Sequence, residues 1–254
     1  MRDFTLEAYR KYLLVLLDRH SHLLRFDQYL SDQKNYSTFC LIRHDVDRKA
    51  NNALEMAQLE AELGVQSTYY FRTKPSVFKI DIIREIAALG HEIGFHYECL
   101  SDAKGDRKKA LELFKVELTK FKGIAEIKSI SMHGRPLSLY DNRDLWKFEG
   151  SKKYLLDQFG ILGEVYLHID YKDIAYIGDT GRTWNSGRSN KRDKVDSQIQ
   201  INPNNGTDLL KLFQENMPQK MVFQIHPERW TDNFIEYIFQ LMKDIAFNQL
   251  KKFR

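Results

Sequence analysis

The stretch that decides the fold is Leu41–Lys49, which reads LIRHDVDRK. It begins inside an apolar run that starts at Phe39, and it ends in charged side chains that include Asp45 and Asp47. A short apolar run of this kind is typical of a buried strand. The charged end has two interpretations. Either the strand reaches the surface, where the two carboxylates cap a helix or pair with a nearby base, or its end holds a metal ion and a general base.

Strand-like and helix-like patterns alternate along the rest of the chain. Helical spacing of apolar residues predicts helices over 5–24, 49–63, 81–89, 103–121 and 231–250. Runs of β-branched, aromatic and other apolar residues predict strands over 39–44, 65–71, 91–96, 127–132, 164–169, 174–177 and 221–225. This alternation is the signature of a mainly parallel α/β sheet. No repeat or linker interrupts it, so we expect one domain over residues 1–254, with residues 1–35 as a helical extension packed on the sheet.

Polar side chains recur where the predicted strands end. His96, His133 and His226 each end or follow a strand, as Asp45 and Asp47 do. Ligands of parallel sheets bind at the carboxyl ends of the strands, so these side chains are expected to lie together. The two aspartates are two residues apart and therefore point to one face of an extended chain. One carboxylate and two histidines are an ordinary ligand set for zinc or a similar divalent ion.

Two motifs together resemble a known family. The stretches HDVD at 44–47 and GHEIGFH at 90–96 are similar to those of the polysaccharide deacetylase (NodB homology) family, the carbohydrate esterase type 4 group. The resemblance covers the order of elements from residue 39 to about 230. It implies a distorted (β/α)₇ barrel that removes N- or O-acetyl groups from sugars with one divalent metal ion, usually zinc.

The resemblance also implies roles for individual residues. Asp45 matches the general base, Asp47 the metal-binding aspartate and His96 the first metal histidine. The late stretch IHPERW at 225–230 resembles the motif whose histidine, here His226, acts as general acid.

A further motif implies how the acid and the base are oriented. DTGRTW at 179–184 looks like the family's acid-plus-tryptophan motif, so Asp179 is expected to pair with His226 and Arg182 with Asp45. The expected substrate-binding residues are Arg135, Tyr140, Trp184 and Trp230.

One position departs from the family pattern. The usual second metal histidine lies four residues after the first, and this position holds Leu100, which cannot bind a metal. The third ligand is therefore expected to be His133, with Glu98 or His91 as the alternatives.

The polar segment 185–197 has two interpretations. It is either a mobile surface loop or a substrate lid that uses Arg188, Lys191 or Arg192.

Composition limits the remaining classes. The 39 basic and 35 acidic residues give a net charge of +4, which is too small to indicate nucleic-acid binding. Cys40 and Cys99 form no disulfide framework and fit a reducing compartment. The run Leu13–Leu17 is short and flanked by charges, so we expect no signal peptide, no transmembrane segment and a cytoplasmic location.

We therefore expect a metal-dependent hydrolase that removes an N-acyl (acetyl) group from an amino sugar or glycan in polysaccharide biosynthesis. Two alternatives stay open. One is a deformylase that acts on a nucleotide- or lipid-linked sugar, with a peripheral contact to a lipid-linked substrate. The other is an inactive glycan-binding protein on the same scaffold, which Leu100 favours.

Overall fold

The computed structural model describes residues 2–20, 22–32, 36–135, 137–184 and 192–252. The α-helices in these residues are α1 (Leu6–Arg19), α2 (Phe26–Ser31), α3 (Ala50–Glu62), α4 (Ile80–Ala88), α5 (Cys99–Asp102), α6 (Arg107–Thr119), α7 (Ser151–Phe159), α8 (Gly206–Glu215) and α9 (Phe234–Lys252). Two 3₁₀ helices lie at Asn142–Leu145 and Pro227–Arg229. Within the same residues, no helix has the length and apolarity needed to cross a membrane.

The strands form one parallel sheet, as the alternating pattern predicts. They are β1 (Leu23–Leu24), β2 (Phe39–Val46), β3 (Thr68–Phe71), β4 (Glu92–Tyr97), β5 (Ser129–Met132), β6 (Gly163–Glu164), β7 (Ala175–Gly178) and β8 (Lys220–Ile225). Their order is β6-β5-β4-β3-β2-β8-β7, with β1 beside β2, and every pair is parallel. The predicted α/β class is confirmed.

The sheet curls into a half-barrel. Ser131 on β5 lies three strands away from β2, which is about 14 Å across a flat sheet. The guanidinium of Arg43 on β2 nevertheless lies 2.6 Å from the hydroxyl of Ser131 and 2.9 Å from that of Tyr166. These contacts require the sheet to bend around Arg43. The edge strands β6 and β7 do not pair within the described residues, so the barrel is open there.

Strand β2 is buried on both faces, as a central parallel strand is expected to be. Its odd-numbered residues, such as Leu41 and Arg43, face the inside of the half-barrel. Its even-numbered residues face the outer helices, where Ile42 joins an apolar cluster and His44 Nε2 lies 2.7 Å from Glu60 on α3. Helix α1 packs Tyr12 and other side chains into the same outer cluster. Alternation along one strand therefore separates an inner polar site from an outer core.

Some element boundaries differ from the sequence prediction. The helix expected over 5–24 ends at Arg19, because Leu23 and Leu24 pair with β2 as β1. The strand expected over 164–169 is short, because the Glu164 carboxylate accepts the backbone N–H groups of Tyr166 and the next residue and bends the chain into a turn.

Helix α8 lies in a region for which the sequence analysis predicts no element. Its N-cap is Asn205, whose side chain accepts the N–H groups of Thr207 and Asp208. Buried Leu209 and Phe213 follow at helical spacing. The start signal of this helix was thus present in the sequence.

Candidate active site

The candidate site lies at the carboxyl end of the half-barrel. Asp45 ends β2, Asp47 follows it, His96 lies near the end of β4, and His133 and His226 follow β5 and β8. His96 Nε2 lies 3.3 Å from Asp47 Oδ1 and 3.9 Å from Asp45 Oδ2. His226 Nε2 lies 4.0 Å from Asp45 Oδ2, and His133 Nε2 lies 3.5 Å from Asp47 Oδ1. The structure brings all five predicted side chains together.

Asp45 is held by one residue of its own strand, Arg43, and by one residue of the neighbouring strand β8, Gln224. Arg43 donates from Nε to Oδ1 and from Nη2 to Oδ2, each at 2.8 Å, and Gln224 Nε2 donates to Oδ2 at 2.7 Å. Burial disfavours the charge on Asp45, but the Arg43 guanidinium, with His96 and His226, outweighs burial and lowers the carboxyl pKa to about 2. Asp45 is therefore a fixed anion at neutral pH.

The expected pairing of Arg182 with Asp45 is wrong. Arg182 has a φ of 59° in a tight turn, and its guanidinium lies 3.6 Å from Asp244 and over the ring of Tyr237. Arg43 takes the partner role instead. It precedes Asp45 by two residues and so shares its face of the strand, which is a signal that the sequence analysis overlooked.

Asp47, His96 and His133 form the candidate metal-binding set. The Nδ1 atom of His96 lies 3.0 Å from the carbonyl oxygen of Ser131, and Nδ1 of His133 lies 3.1 Å from Glu98 Oε2. Because these oxygens are acceptors, each Nδ1 is the donor, and Nε2 of each ring faces Asp47. Metal-binding histidines are commonly oriented by such an acceptor on the opposite ring nitrogen.

These residues fit a divalent ion. Asp47 Oδ1 is buried and has no hydrogen-bond partner, which is a costly state for a carboxylate oxygen. Its distances of 3.3 and 3.5 Å to the two Nε2 atoms are close to the roughly 3.3 Å edge of a tetrahedron with ~2.0–2.1 Å zinc–ligand bonds. In the described part of the chain, no group of three or more His, Cys, Asp or Glu side chains is arranged so that it could hold a metal ion as it stands. The metal is therefore a proposal.

The alternative third ligands are engaged elsewhere. Glu98 Oε1 accepts from the Arg72 guanidinium at 2.7 and 3.0 Å, and its other oxygen faces His133. His91 lies on the outer face of the sheet, where Nε2 is 3.0 Å from the carbonyl oxygen of Ala57. Of the three candidates, only His133 faces Asp47. Burial disfavours a charge on His133, but Asp47 and Glu98 raise its pKa to about 9.

His226 is fixed by Asp179, the pairing that the sequence predicted. Its Nδ1 lies 2.6 Å from Asp179 Oδ1, and its backbone N–H donates to Oδ2 at 3.0 Å. Trp230 Nε1 donates to the same Oδ2 at 2.9 Å. Burial and Arg229 disfavour a positive charge on His226, but Asp179 raises its pKa to about 9. His226 is therefore protonated at neutral pH, with Nε2 directed toward Asp45.

The two tryptophans do not line a cleft, contrary to the sequence prediction. Trp184 and Trp230 are 1% and 0% exposed, and their rings lie 5.4 and 5.3 Å from the ring of Phe4. Their apolar surface fills the outer core, so it is not available to stack on a sugar. Trp230 instead positions Asp179 through its indole N–H.

The other two predicted substrate residues lie at the rim. Arg135 forms an ion pair with Asp102 and lies 3.7 Å from Glu98. Tyr140 is partly exposed, and its ring packs against Gly105, where a Cβ atom would overlap it. Both remain predictions for substrate contact.

The polar segment 185–197 is described from Arg192 onward. The Arg192 guanidinium donates to the carbonyl oxygens of Gly134 and Arg135 at 2.7 and 2.8 Å, beside the loop that carries His133. The other two lid candidates, Arg188 and Lys191, lie outside the described residues.

Comparisons with known proteins find distant similarity to solved structures. Neither a family model nor a curated protein matches the chain. Among solved structures, a CE4 family pseudoenzyme from Bacillus anthracis is 10% identical over 84% of this chain and 61% of its own, with a TM-score of 0.42. A family 4 carbohydrate esterase from Streptomyces lividans in complex with acetate is 10% identical over 83% and 89%, with a TM-score of 0.42. The polysaccharide deacetylase Bc1974 from Bacillus cereus is 13% identical over 84% and 89%, with a TM-score of 0.41.

This chain spans 61–64% of the length of the first pseudoenzyme structures. At these identities and TM-scores, the similarity by itself assigns no activity to the chain.

Proposed function

We propose that this protein is a metal-dependent hydrolase that removes an N-acyl group from an amino sugar. The observation that supports it most is the position of the Asp45 carboxylate. Its Oδ2 lies between His96 of the candidate metal set and the protonated His226, at 3.9 and 4.0 Å. The sugar substrate and a biosynthetic role rest on the resemblance of HDVD and GHEIGFH alone.

Asp47, His96 and His133 would hold one divalent ion, with zinc as the expected metal. The orphaned Oδ1 of Asp47 and the two Nε2 atoms that face it support this assignment. Such an ion polarises a carbonyl group and lowers the pKa of a bound water to about 7.

The chain's own residues supply the proton transfers. Asp45 is anionic at neutral pH and accepts a proton from the attacking water. With a pKa of about 2, Asp45 releases that proton to the solvent before the next turnover, and His226, with a pKa of about 9, regains from the solvent the proton that it donates. His226 donates from Nε2 to the leaving nitrogen as the C–N bond breaks, because its Nδ1 is engaged by Asp179. Each transfer is expected to contribute ~10²–10⁴-fold to the rate.

One observation favours the alternative of an inactive glycan-binding protein, and two observations disfavour it. Leu100, buried in α5, stands where the family has a metal histidine. However, His133 at the end of β5 directs its Nε2 toward Asp47 and can replace the missing histidine as a ligand. The aromatic residues expected to stack on a glycan, Trp184 and Trp230, are buried. The structure therefore favours hydrolysis over binding alone.

The test is acyl release from N-acetylated and N-formylated amino sugars by the zinc-loaded protein. We expect the protein to release either the acetyl or the formyl group. Asp45→Asn should reduce the rate at least ~10²-fold while metal content is unchanged, because the base is lost and the ligands are kept. Asp144→Asn, at a surface carboxylate, is the matched control. No release by metal-loaded protein, or an Asp45→Asn variant as active as the wild type, would reject the proposal.

A further inference from the structure

Helix α9 is amphipathic, but its polar face is turned toward the protein and its apolar face toward the solvent. Its polar residues Glu236, Gln240, Asp244 and Asn248 recur every four positions and form one face, which is turned toward the protein. Large apolar side chains on the opposite side are between 53% and 75% exposed. They are Phe234, Ile235, Phe239, Met242 and Ile245. We call these five side chains the outer face of α9. Soluble monomers seldom expose so many large apolar groups side by side without a partner.

The inward polar face is fixed by specific contacts. Glu236 accepts from Asn52 Nδ2 at 3.1 Å and pairs with Lys49. Asp244 lies 3.7 Å from Arg229, and Asn248 Nδ2 donates to a loop carbonyl oxygen at 2.8 Å. Rotating α9 to bury its apolar side chains would break all of these contacts. These contacts therefore hold the outer face of α9 toward the solvent.

The charged residues of α9 are also divided between its two faces. Its two acidic residues, Glu236 and Asp244, face inward and are paired with basic side chains. Lys243 is exposed, with Nζ 5.9 Å from the ring of Phe239. The sequence continues with Lys251, Lys252 and Arg254. Apolar and aromatic side chains beside an exposed basic group are the pattern of helices that lie in the headgroup region of anionic membranes, and α9 has this pattern at Lys243.

A second copy of the chain fits this face less well. A helix of 19 residues is about 28 Å long and roughly 10 Å wide, which gives a footprint of roughly 280 Å². Stable protein–protein interfaces bury ~800 Å² per partner. Insertion into a lipid surface requires no such minimum area, and the exposed Lys243 lies on the helix to meet anionic headgroups.

We propose that the outer face of α9 docks on an anionic lipid surface. The helix follows the loop at the carboxyl end of β8, so docking brings the end of the half-barrel that carries the candidate site toward the lipid. The inference does not depend on the proposed activity. It depends on the inverted polarity of one helix and on the sign of its outward charge.

The test is flotation of the full-length protein with vesicles of phosphatidylcholine, with and without phosphatidylglycerol. We expect binding that requires phosphatidylglycerol and weakens as salt is added. Ile235→Ser combined with Phe239→Ser should reduce binding about tenfold or more, because two large side chains no longer enter the lipid. Val116→Ser combined with Leu156→Ser removes exposed apolar groups from α6 and α7, which lie outside the outer face of α9, and should leave binding unchanged.

Lys243→Glu is the second variant, because reversing an exposed charge leaves the packing intact. It should weaken binding to phosphatidylglycerol vesicles. Three results would overturn the proposal. They are wild-type protein that does not float with anionic vesicles, equal binding by the Ile235/Phe239 variant, and a wild-type dimer that the same variant dissociates while no protein floats. The last result would assign the outer face to a second copy of the chain.

Discussion

Arg43 and Asp45 carry the largest electrostatic effect at the residue scale. Both side chains are buried, and they are joined by two hydrogen bonds of 2.8 Å. A buried ion pair adds little stability compared with an apolar pair, but removing one partner leaves an uncompensated charge. The strand thus commits Asp45 to the ionised state that a proton acceptor needs.

Arg43→Met should lower the free energy of unfolding at pH 7 by about 3–5 kcal/mol, because Asp45 would be buried without its guanidinium partner. The deficit should shrink as the pH falls below the ordinary carboxyl pKa of 3.8, where protonation of Asp45 removes the unpaired charge. Urea unfolding at several pH values measures this. Arg10→Met, which breaks an exposed pair with Glu62, should cost less than ~1 kcal/mol. Equal losses in both variants would contradict the account.

Asp179→Asn tests the proposed role of His226 as general acid. In metal-free protein, Asp179 keeps the pKa of His226 at about 9, against 6.5 for an ordinary histidine. The stability from this pairing is therefore fully present below pH 6.5 and is lost as the pH rises through about 9. The variant should lower the His226 pKa by about one unit or more, which an NMR titration measures. Asp157→Asn, at an exposed carboxylate, should leave it unchanged. A His226 pKa that is the same in both variants would remove Asp179 from the site.

Some residues of the candidate site could be predicted from the sequence, and others could not. Asp45, Asp47, His96, His133 and His226 were predictable, because each ends or follows a strand and parallel strands end at one edge. The partner of Asp45 was not assigned correctly, because a motif resemblance pointed to another arginine. Burial of the two tryptophans was also not predictable, since it depends on Phe4, which packs against their rings from 180 and 226 positions away in the chain.

At the scale of elements, strand β4 shows why a glycine is needed inside a strand. A Cβ atom on Gly94 would overlap the ring of Tyr70 on β3 and lie 3.2 Å from the backbone oxygen of Ser129. A glycine inside a strand often marks a position that another group approaches closely. The approach proves to be a neighbouring side chain, which in turn bonds to Ser129 through its hydroxyl at 2.6 Å.

Gly94→Ala should therefore destabilise the fold by about 1–3 kcal/mol or more, through overpacking between β3, β4 and β5. Tyr70→Leu shortens the side chain that fills this space. If the close approach is the cause, Gly94→Ala should cost less in a Tyr70→Leu background than in the wild type. Thermal unfolding of the four proteins measures this cycle. Additive losses would show that the strain lies elsewhere.

Element boundaries were harder to predict than element types. The long helix expected at the N-terminus stops at Arg19, because the following residues gain more as a strand beside β2 than as further helical turns. Helix α8 went unpredicted although Asn205 supplies a cap. The two errors have different origins. The cap of α8 is a local signal that was overlooked, whereas the end of α1 depends on pairing with a distant strand, which the tertiary fold decides.

At the scale of the whole molecule, curvature of the sheet creates the site. Alternating strands and helices predicted a parallel sheet, but periodicity contains no information on how strongly it bends. The bend is visible only in contacts such as Arg43 with Ser131, three strands apart. Without it, the carboxyl ends of β2 and β5 would lie too far apart for Asp47 to meet His133.

The most direct test of the central claim is the metal content of the purified, tag-free protein, measured by elemental mass spectrometry beside Asp47→Ala and the surface control Asp144→Ala. The account predicts about one zinc or similar divalent ion per chain in the wild type and in the control, and a loss of that ion in Asp47→Ala, which lacks the carboxylate facing both histidines. A wild-type protein that binds no metal after zinc, cobalt and nickel are supplied, or an Asp47→Ala variant that keeps its ion, would contradict it.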